Sequence, residues 1–409
     1  MKSLLFALLL SSLVIIGCSG GEADIQCCVI DLEDAMCNNN EYIKLSKYAS
    51  SIDYVPLETS DECALGRIFT MNIDEKWIYF FEYEKSRNLV TIFDISTGEF
   101  VKVFNKEGRG PGEYYSAHWI GLKQEQNGNK QLIMPWFRGI NVYNIEDEVA
   151  VSQFNWKHKS NRGIEYVVFN NKRNTIYVLL NRFQRDGVKT DVCYEYLTEY
   201  DLDGNVQSET FLGDVKKTNA LTSRFIEYGD RLRIMNETED TIFNVNKENN
   251  HLSVEYVVDY GKYEYIKINQ FKRERPWFFK LTTGGVFETD RFVCINAYLP
   301  PEEFPEILSK GFGYLPYAQY NSIILYDKKE GKTYSVKEDP KYHYTGFVND
   351  LDGGAPFAPR FIKNGKMVQL ISAGIFIELA EQHDVPRMKE IAARLTAESN
   401  PVMVVATLK

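Results

Sequence analysis

One short unit recurs along the chain and restricts its architecture more than any other feature. A β-type run ends in an aromatic residue followed by Asp or Asn, a polar turn comes next, and a second run begins. It stands as Phe93-Asp94-Ile95-Ser96-Thr97-Gly98, Tyr143-Asn144-Ile145-Glu146-Asp147, Tyr200-Asp201-Leu202-Asp203-Gly204, Phe243-Asn244-Val245-Asn246 and Tyr326-Asp327-Lys328-Lys329-Glu330-Gly331. The aromatic positions are 50, 57, 43 and 83 residues apart. A β-rich unit of that length, with a tight turn near its end, is the sequence form of a propeller blade. Composition agrees: 26 Tyr and 25 Phe suit pleated, half-buried surfaces.

The short runs between turns divide into six groups of three or four, which predicts an all-β, six-bladed β-propeller over residues 46–409, about 61 residues per blade. Ile52–Leu57 precedes the first group; in a closed ring it pairs with the last blade, so that no sheet edge is left bare. Met388, Ile391, Ala392 and Leu395 follow Pro386 at helical spacing, which predicts a short C-terminal helix inserted in the last blade. A two-sheet sandwich is the structural alternative.

The N-terminus speaks to location. Lys2 is followed by a mostly apolar run, Leu4 to Ile16, too short to span a bilayer and suited to the core of a secretory signal. It ends at Ile15-Ile16-Gly17-Cys18, which resembles a bacterial lipobox. Residues 1–17 are therefore read as a lipoprotein signal peptide and Cys18 as the acylated residue, with 18–45 a flexible leash. Several acyl chains on one Cys suffice for stable anchoring.

Of the other six cysteines, Cys27, Cys28 and Cys37 lie in the leash, Cys63 lies near the first blade, and Cys193 and Cys294 lie in strand-like runs as buried free thiols. No CxxC pair is present, which argues against a zinc site. A net charge of −10 argues against a nucleic-acid partner.

A resemblance joins these observations. Asn105-Lys106-Glu107-Gly108-Arg109-Gly110-Pro111-Gly112-Glu113-Tyr114 resembles the GxGPGEY signature of a family of Gram-negative lipoproteins with a six-bladed, TolB-like or NHL-like propeller. Glu239-Asp240-Thr241-Ile242-Phe243, Asn349-Asp350-Leu351-Asp352-Gly353-Gly354 and Asn400-Pro401-Val402-Met403-Val404-Val405 resemble it too, in the same order. The resemblance implies a propeller fold and an outer-membrane location, facing periplasm or cell surface. It implies no reaction.

Candidate chemistry sits in connections. The Gly108–Gly112 loop lacks the Lys-Ser/Thr of a phosphate cradle. It joins the outer strand of one blade to the inner strand of the next, where propellers bind ligands, so Arg109, Glu113 and Tyr114 are candidate ligand contacts. Asp350 and Asp352 would bend around a hard cation or a ligand, yet the twelfth position from Asp350 is Phe361, not the Glu of a complete Ca²⁺ loop. Arg273 and Trp277 would hold an acidic peptide or anionic sugar. Trp119, Trp136 and Trp156 read as core. The five histidines, His118, His158, His251, His343 and His383, show no metal-binding spacing, and no GxSxG elbow exists.

The sequence thus predicts a non-enzymatic, membrane-anchored binding or scaffold module without catalytic residues, metal or cofactor. Its partner is an unidentified protein, peptide or glycan at the channel mouth. The competing reading is a metal-assisted hydrolase or lyase in the central channel, built from His118 or His343 with acidic neighbours.

Overall fold

The computed structural model describes residues 27–409 except 85–86, 116, 118, 125–128, 137–138, 156–163, 185–191, 216–222, 237–240, 262–279, 299–321 and 343. Blade one consists of Arg67–Ile73, Trp77–Glu84, Arg87–Asp94 and Phe100–Phe104; blade two of Gly121–Gln124, Lys130–Trp136, Gly139–Asn144 and Ala150–Asn155. Blade three runs Ile164–Asn170, Thr175–Gln184, Val192–Tyr200 and Val206–Val215; blade four runs Ser223–Tyr228, Arg231–Asn236, Thr241–Val245 and Leu252–Asp259. Blade five holds Lys280–Glu288, Phe292–Tyr298, Ser322–Asp327 and Lys332–Val336. Blade six holds Phe361–Lys363, Lys366–Ile371 and Val402–Leu408, completed by the N-terminal strand Ala49–Pro56, which pairs antiparallel with Val402–Leu408. The expected closure is borne out, and the six-bladed propeller with it.

Period-two alternation builds the ring. In Trp77–Glu84, Ile78 and Phe80 join Val368, Leu370, Met403 and Val405 of blade six, while Tyr79 and Phe81 join Leu132 and Met134 of blade two. The same division occurs in Thr175–Gln184, where Ile176, Val178 and Leu180 face blade two and Tyr177 and Leu179 face blade four. Among the described residues, the buried apolar side chains fall into six clusters, one at each junction between neighbouring blades. A strand buried on both faces is hydrophobic throughout.

Antiparallel succession also gives each blade two ends. The turns between first and second strands and between third and fourth strands share one, the turn end. The second-to-third connections and the links between blades share the other, the rim end. The recurring unit is the third-to-fourth turn. Asp94 accepts from the backbone N–H groups of Ser96 and Thr97 at 2.9 and 3.1 Å, and Asp327 does the same for Lys329 and Glu330 at 3.0 and 3.1 Å. Four residues after the opening Asp or Asn, the backbone turns left-handed, at Gly98, Glu148, Asn250 and Gly331. In blade four the opening residue is Asn246, which accepts from Glu248 N–H at 2.9 Å; Asn244, two residues earlier, instead accepts from Arg233.

Two features depart from expectation. Much of the stretch read as a leash is folded. Cys28–Asp31 adds a parallel strand to the outer edge of blade four, helix Leu32–Cys37 follows, and Asn40–Glu41 adds a parallel strand to blade five. Ile30, Leu32 and Met36 bury themselves in the junction between those blades, and this burial together with the two parallel strand pairings holds the segment in place. The second departure is a further helix, Ala373–Gln382, before the expected one at Pro386–Ala392. Both lie between the second and third strands of blade six, and Phe376, Leu379, Met388 and Ile391 pack on its core.

Candidate functional site

The Gly108–Gly112 loop leaves the rim end of blade one and folds onto its own carboxylate. Glu113 accepts from Gly110 N–H at 2.7 Å, and a Cβ on Gly108 would lie 1.9 Å from the same carboxylate oxygen. Gly108 N–H donates to Tyr114 O at 2.9 Å and Tyr114 N–H to Lys106 O at 3.0 Å. Gly112 takes φ +74°, a conformation that favours glycine. Blade two grips the loop from below: Tyr143 donates to Gly112 O at 2.9 Å and Asn141 to Glu113 O at 2.9 Å. Blade one grips it through Tyr114, wholly buried, whose hydroxyl donates to Asn88 O at 2.8 Å.

Of the sequence candidates here, Glu113 and Tyr114 therefore shape the loop. Arg109 projects from it, exposed, with its guanidinium 5.0 Å from the Tyr115 ring centre. Gly108→Ala and Glu113→Ala each abolish the same charge-assisted bond, so each is expected to cost about 1–3 kcal/mol, and the double variant little more than either alone. Thermal denaturation of the three variants measures this; additive losses would show that the carboxylate does not hold the loop through Gly108.

Asp350 and Asp352 lie in the link between blades five and six and are likewise engaged by the chain. Asp350 accepts from Ser46 N–H at 2.9 Å and Ser46 Oγ at 2.7 Å. Asp352 accepts from Asn349 Nδ2 at 2.7 Å, Gly354 N–H at 2.9 Å and the Tyr54 hydroxyl at 3.3 Å. Ser46 and Tyr54 belong to the outer side of blade six, so these carboxylates fasten a loop there. Among the described residues, no contact joins them to Arg109 or Glu113. Arg273, Trp277 and Cys18 lie outside the described residues, as do His118 and His343. No group of three or more His, Cys, Asp or Glu among the described residues is placed to hold a metal ion. Cys294 is fully buried with a free thiol, pushed up to about 12 by desolvation; the Cys193 side chain is outside the described residues.

What the sequence missed lies where the innermost strands begin. Phe69 and Tyr83, on the blade-two side of blade one, are 42% and 44% exposed, and Tyr115 is 41% exposed. Aromatic side chains of this size are normally buried, so three open rings at one end require a reason. Phe69 and Tyr83 have ring centres 6.4 Å apart, and Arg67 lies 5.6 Å from the Phe69 centre. At the corresponding starts of blades two to four, Trp119 meets Tyr166 edge-on at 4.6 Å and Arg224 lies 4.9 Å from the Tyr166 ring. Trp119, read as core, is half-buried and packs against the clusters on both sides of blade three. Aromatics inside strand-like runs look alike in sequence; which of them stand beyond the packed part of a junction depends on strand length and blade geometry.

The turn end is built differently. Lys363, on the inner strand of blade six, reaches Asn72 of blade one at 3.0 Å and both Glu227 oxygens of blade four at 3.3 and 3.4 Å. This strut crosses from one side of the ring to another and restricts entry at the turn end. Among the described residues, no helix is long and apolar enough to cross a membrane.

Solved structures resemble the chain in fold. A protein of Bacteroides fragilis described as exported superposes with a TM-score of 0.62 at 12% identity, over 93% of this chain and 99% of that one. A member of the DUF4221 family from Bacteroides vulgatus gives a TM-score of 0.45 at 12% identity, over 88% of this chain and 97% of that one. No curated protein matches in sequence. One family matches residues 27–407, which take in all six blades and the folded N-terminal strap from Cys28 to Glu41: the chain belongs to DUF4934, described as a domain of unknown function.

Proposed function

We propose that this propeller is a non-enzymatic binding module, held at the outer membrane by acylated Cys18, whose ligand docks on the rim end of the channel. The observation that supports it most is the group of exposed rings at Phe69, Tyr83 and Tyr115, with guanidinium groups over two of the three. Flat apolar faces beside cations suit a ligand that offers both a stacking surface and negative charge, such as an acidic peptide or an anionic glycan. The Lys363 strut at the opposite end supports entry from the rim. Arg109 is the loop's contribution, oriented by Glu113 and Tyr114. The link that contains Arg273 and Trp277 joins the rim ends of blades four and five, so those residues are assigned as further contacts. The exported description of the Bacteroides fragilis protein agrees with an envelope location.

The test pans a random peptide library and an immobilised glycan array with the mature chain and with a Phe69→Ala/Tyr83→Ala variant. Both rings are exposed, so the variant is expected to keep its thermal transition. Capture of an anionic ligand that weakens at least tenfold in the variant, about 1.4 kcal/mol, is the expected result. Binding indifferent to the two rings, or no capture from either library, overturns the proposal.

A further inference from the structure

We propose that Lys247, beside the channel at its turn end, is a nucleophilic amine that captures small aldehydes and ketones as an imine. The inference is independent of the rim ligand, and the way two blades hold this one lysine carries it. Lys247 lies in the third-to-fourth turn of blade four, which opens at Asn246. Blade three fastens that turn at Lys247 itself and again three residues on. Asn170 Nδ2 donates to Lys247 O at 3.1 Å, and the Tyr177 hydroxyl donates to Asn250 Oδ1 at 2.5 Å. Asn250 Nδ2 in turn donates to buried Glu199 at 2.6 Å.

The charges that act on the ammonium stand on first turns around the channel mouth. They are Glu227 and Asp230 of blade four, Lys172 of blade three and Lys363 of blade six. Lys363 is the strut that bonds Glu227 across the ring, so the Lys247 side chain leads from its fixed turn toward the same opening. The neighbouring cations have partners: Lys363 rests on Glu227 at 3.3 Å and Lys172 on Glu248 at 3.4 Å. Lys247 is half-buried, and among the described residues no carboxylate lies within ion-pair distance of it.

An ammonium so placed must find a counter-ion or shed its proton. Glu227 and Asp230 repel an anionic ligand, which leaves the second course. Burial, helped by the charges of Lys172 and Lys363, outweighs the pull of the two carboxylates and holds the amine below the ordinary lysine range. A desolvated lysine near other cations is an arrangement suited to carbonyl chemistry.

The step needs no co-reactant. The Nζ lone pair attacks the carbonyl carbon, the C=O π pair moves to oxygen, and that oxygen takes up the proton nitrogen gives up. The C=N bond then forms as the C–O bond breaks, and one water leaves for each carbonyl bound. Nothing is oxidised or reduced. Because the Lys363 strut narrows the opening, the fitting ligand is short, such as a small hydroxyaldehyde.

Reductive trapping of the mature chain tests this. Glycolaldehyde is added with cyanoborohydride, which reduces any imine to a stable secondary amine, and peptide mass spectrometry reads each lysine between pH 6 and 9. Exposed Lys329 and Lys389 serve as internal references. Each unit by which an amine's pKa falls raises its unprotonated fraction at neutral pH about tenfold. Lys247 is therefore expected to react about tenfold faster than either reference at pH 7, with its profile displaced to lower pH. Lys247→Arg should remove this adduct and leave the other two unchanged. Modification of Lys247 at or below the rate of the references, or a pH profile that coincides with theirs, overturns the proposal.

Discussion

A chain that ends at Asn400 will show no cooperative unfolding transition. The missing strand, Val402–Leu408, lies between Lys366–Ile371 and the N-terminal strand Ala49–Pro56, and it serves two cores at once. Val402, Val404 and Ala406 face the junction with blade five, while Met403 and Val405 face the junction with blade one. All five are buried, and at about 1.5–3 kcal/mol for each large side chain the loss is on the order of 10 kcal/mol. That rivals the whole stability of an ordinary domain, about 5–15 kcal/mol. Truncation also strips Ala49–Pro56 of the sheet neighbour it has among the described residues. Near-ultraviolet circular dichroism and calorimetry of the truncated chain check the point. A sharp transition within a few degrees of the full chain's would mean that the ring coheres without its closing strand.

The architecture was legible because propeller blades repeat their punctuation. Each aromatic-Asp turn must bury a ring and satisfy backbone donors at one place, so Phe93-Asp94 and Tyr326-Asp327 look alike although more than 200 residues separate them. The strap was not legible. Ile30, Leu32 and Met36 are three apolar residues among acids and asparagines, and their burial depends on a groove supplied by strands about 200–300 residues away. Parallel pairing at a sheet edge leaves no local pattern that distinguishes it from a leash. The second helix, Ala373–Gln382, was missed for a related reason: Ala-Gly-Ile-Phe-Ile is apolar in continuous succession, and short runs of that kind do not separate helix from buried strand.

The site was legible in part. The Gly-rich loop was correctly read as a constrained inter-blade link at the rim end. Its carboxylate, a candidate ligand contact in the sequence, is the hydrogen-bond acceptor that constrains it. Asp350 and Asp352 repeat the lesson, since alternate carboxylates before glycine serve loop closure through Ser46 and Tyr54 as readily as they would serve a cation. The exposed rings of Phe69 and Tyr83 carry no sequence mark at all. Their exposure arises from three-dimensional packing: Tyr79 and Phe81, at the same period-two spacing in the strand of Tyr83, are buried in the junction with blade two, while Phe69 and Tyr83 are not.

Replacing Arg233 by Ala is expected to destabilise the propeller by about 3–5 kcal/mol, the largest effect of any single substitution proposed here. Arg233 is 2% exposed at the junction of blades four and five. Its Nε donates to Glu288 at 3.0 Å, one Nη donates to Glu255 at 2.8 Å and the other to Asn244. Glu288 also accepts from the Tyr256 hydroxyl at 2.9 Å and from Lys328 Nζ at 2.7 Å. Removing the guanidinium leaves one buried Glu288 oxygen without its cation and opens a cavity beneath Asn244.

The clip also has a pH signature with a defined sign. Burial alone would raise the Glu288 carboxyl, but the Lys328 bond and the Arg233 charge outweigh it and hold the group below the usual carboxylate range. Its contribution is therefore complete above the unfolded value near 4.5 and fades as the pH falls through the lower folded value. Arg233→Ala should accordingly narrow the gap between wild-type and variant stability as acid protonates Glu288. Urea denaturation of both proteins at pH 7 and again near pH 4 measures the two gaps. A cost below about 1 kcal/mol at pH 7, or a gap that widens in acid, would show that the blade junction is held by its apolar contacts and that the charges ride on it.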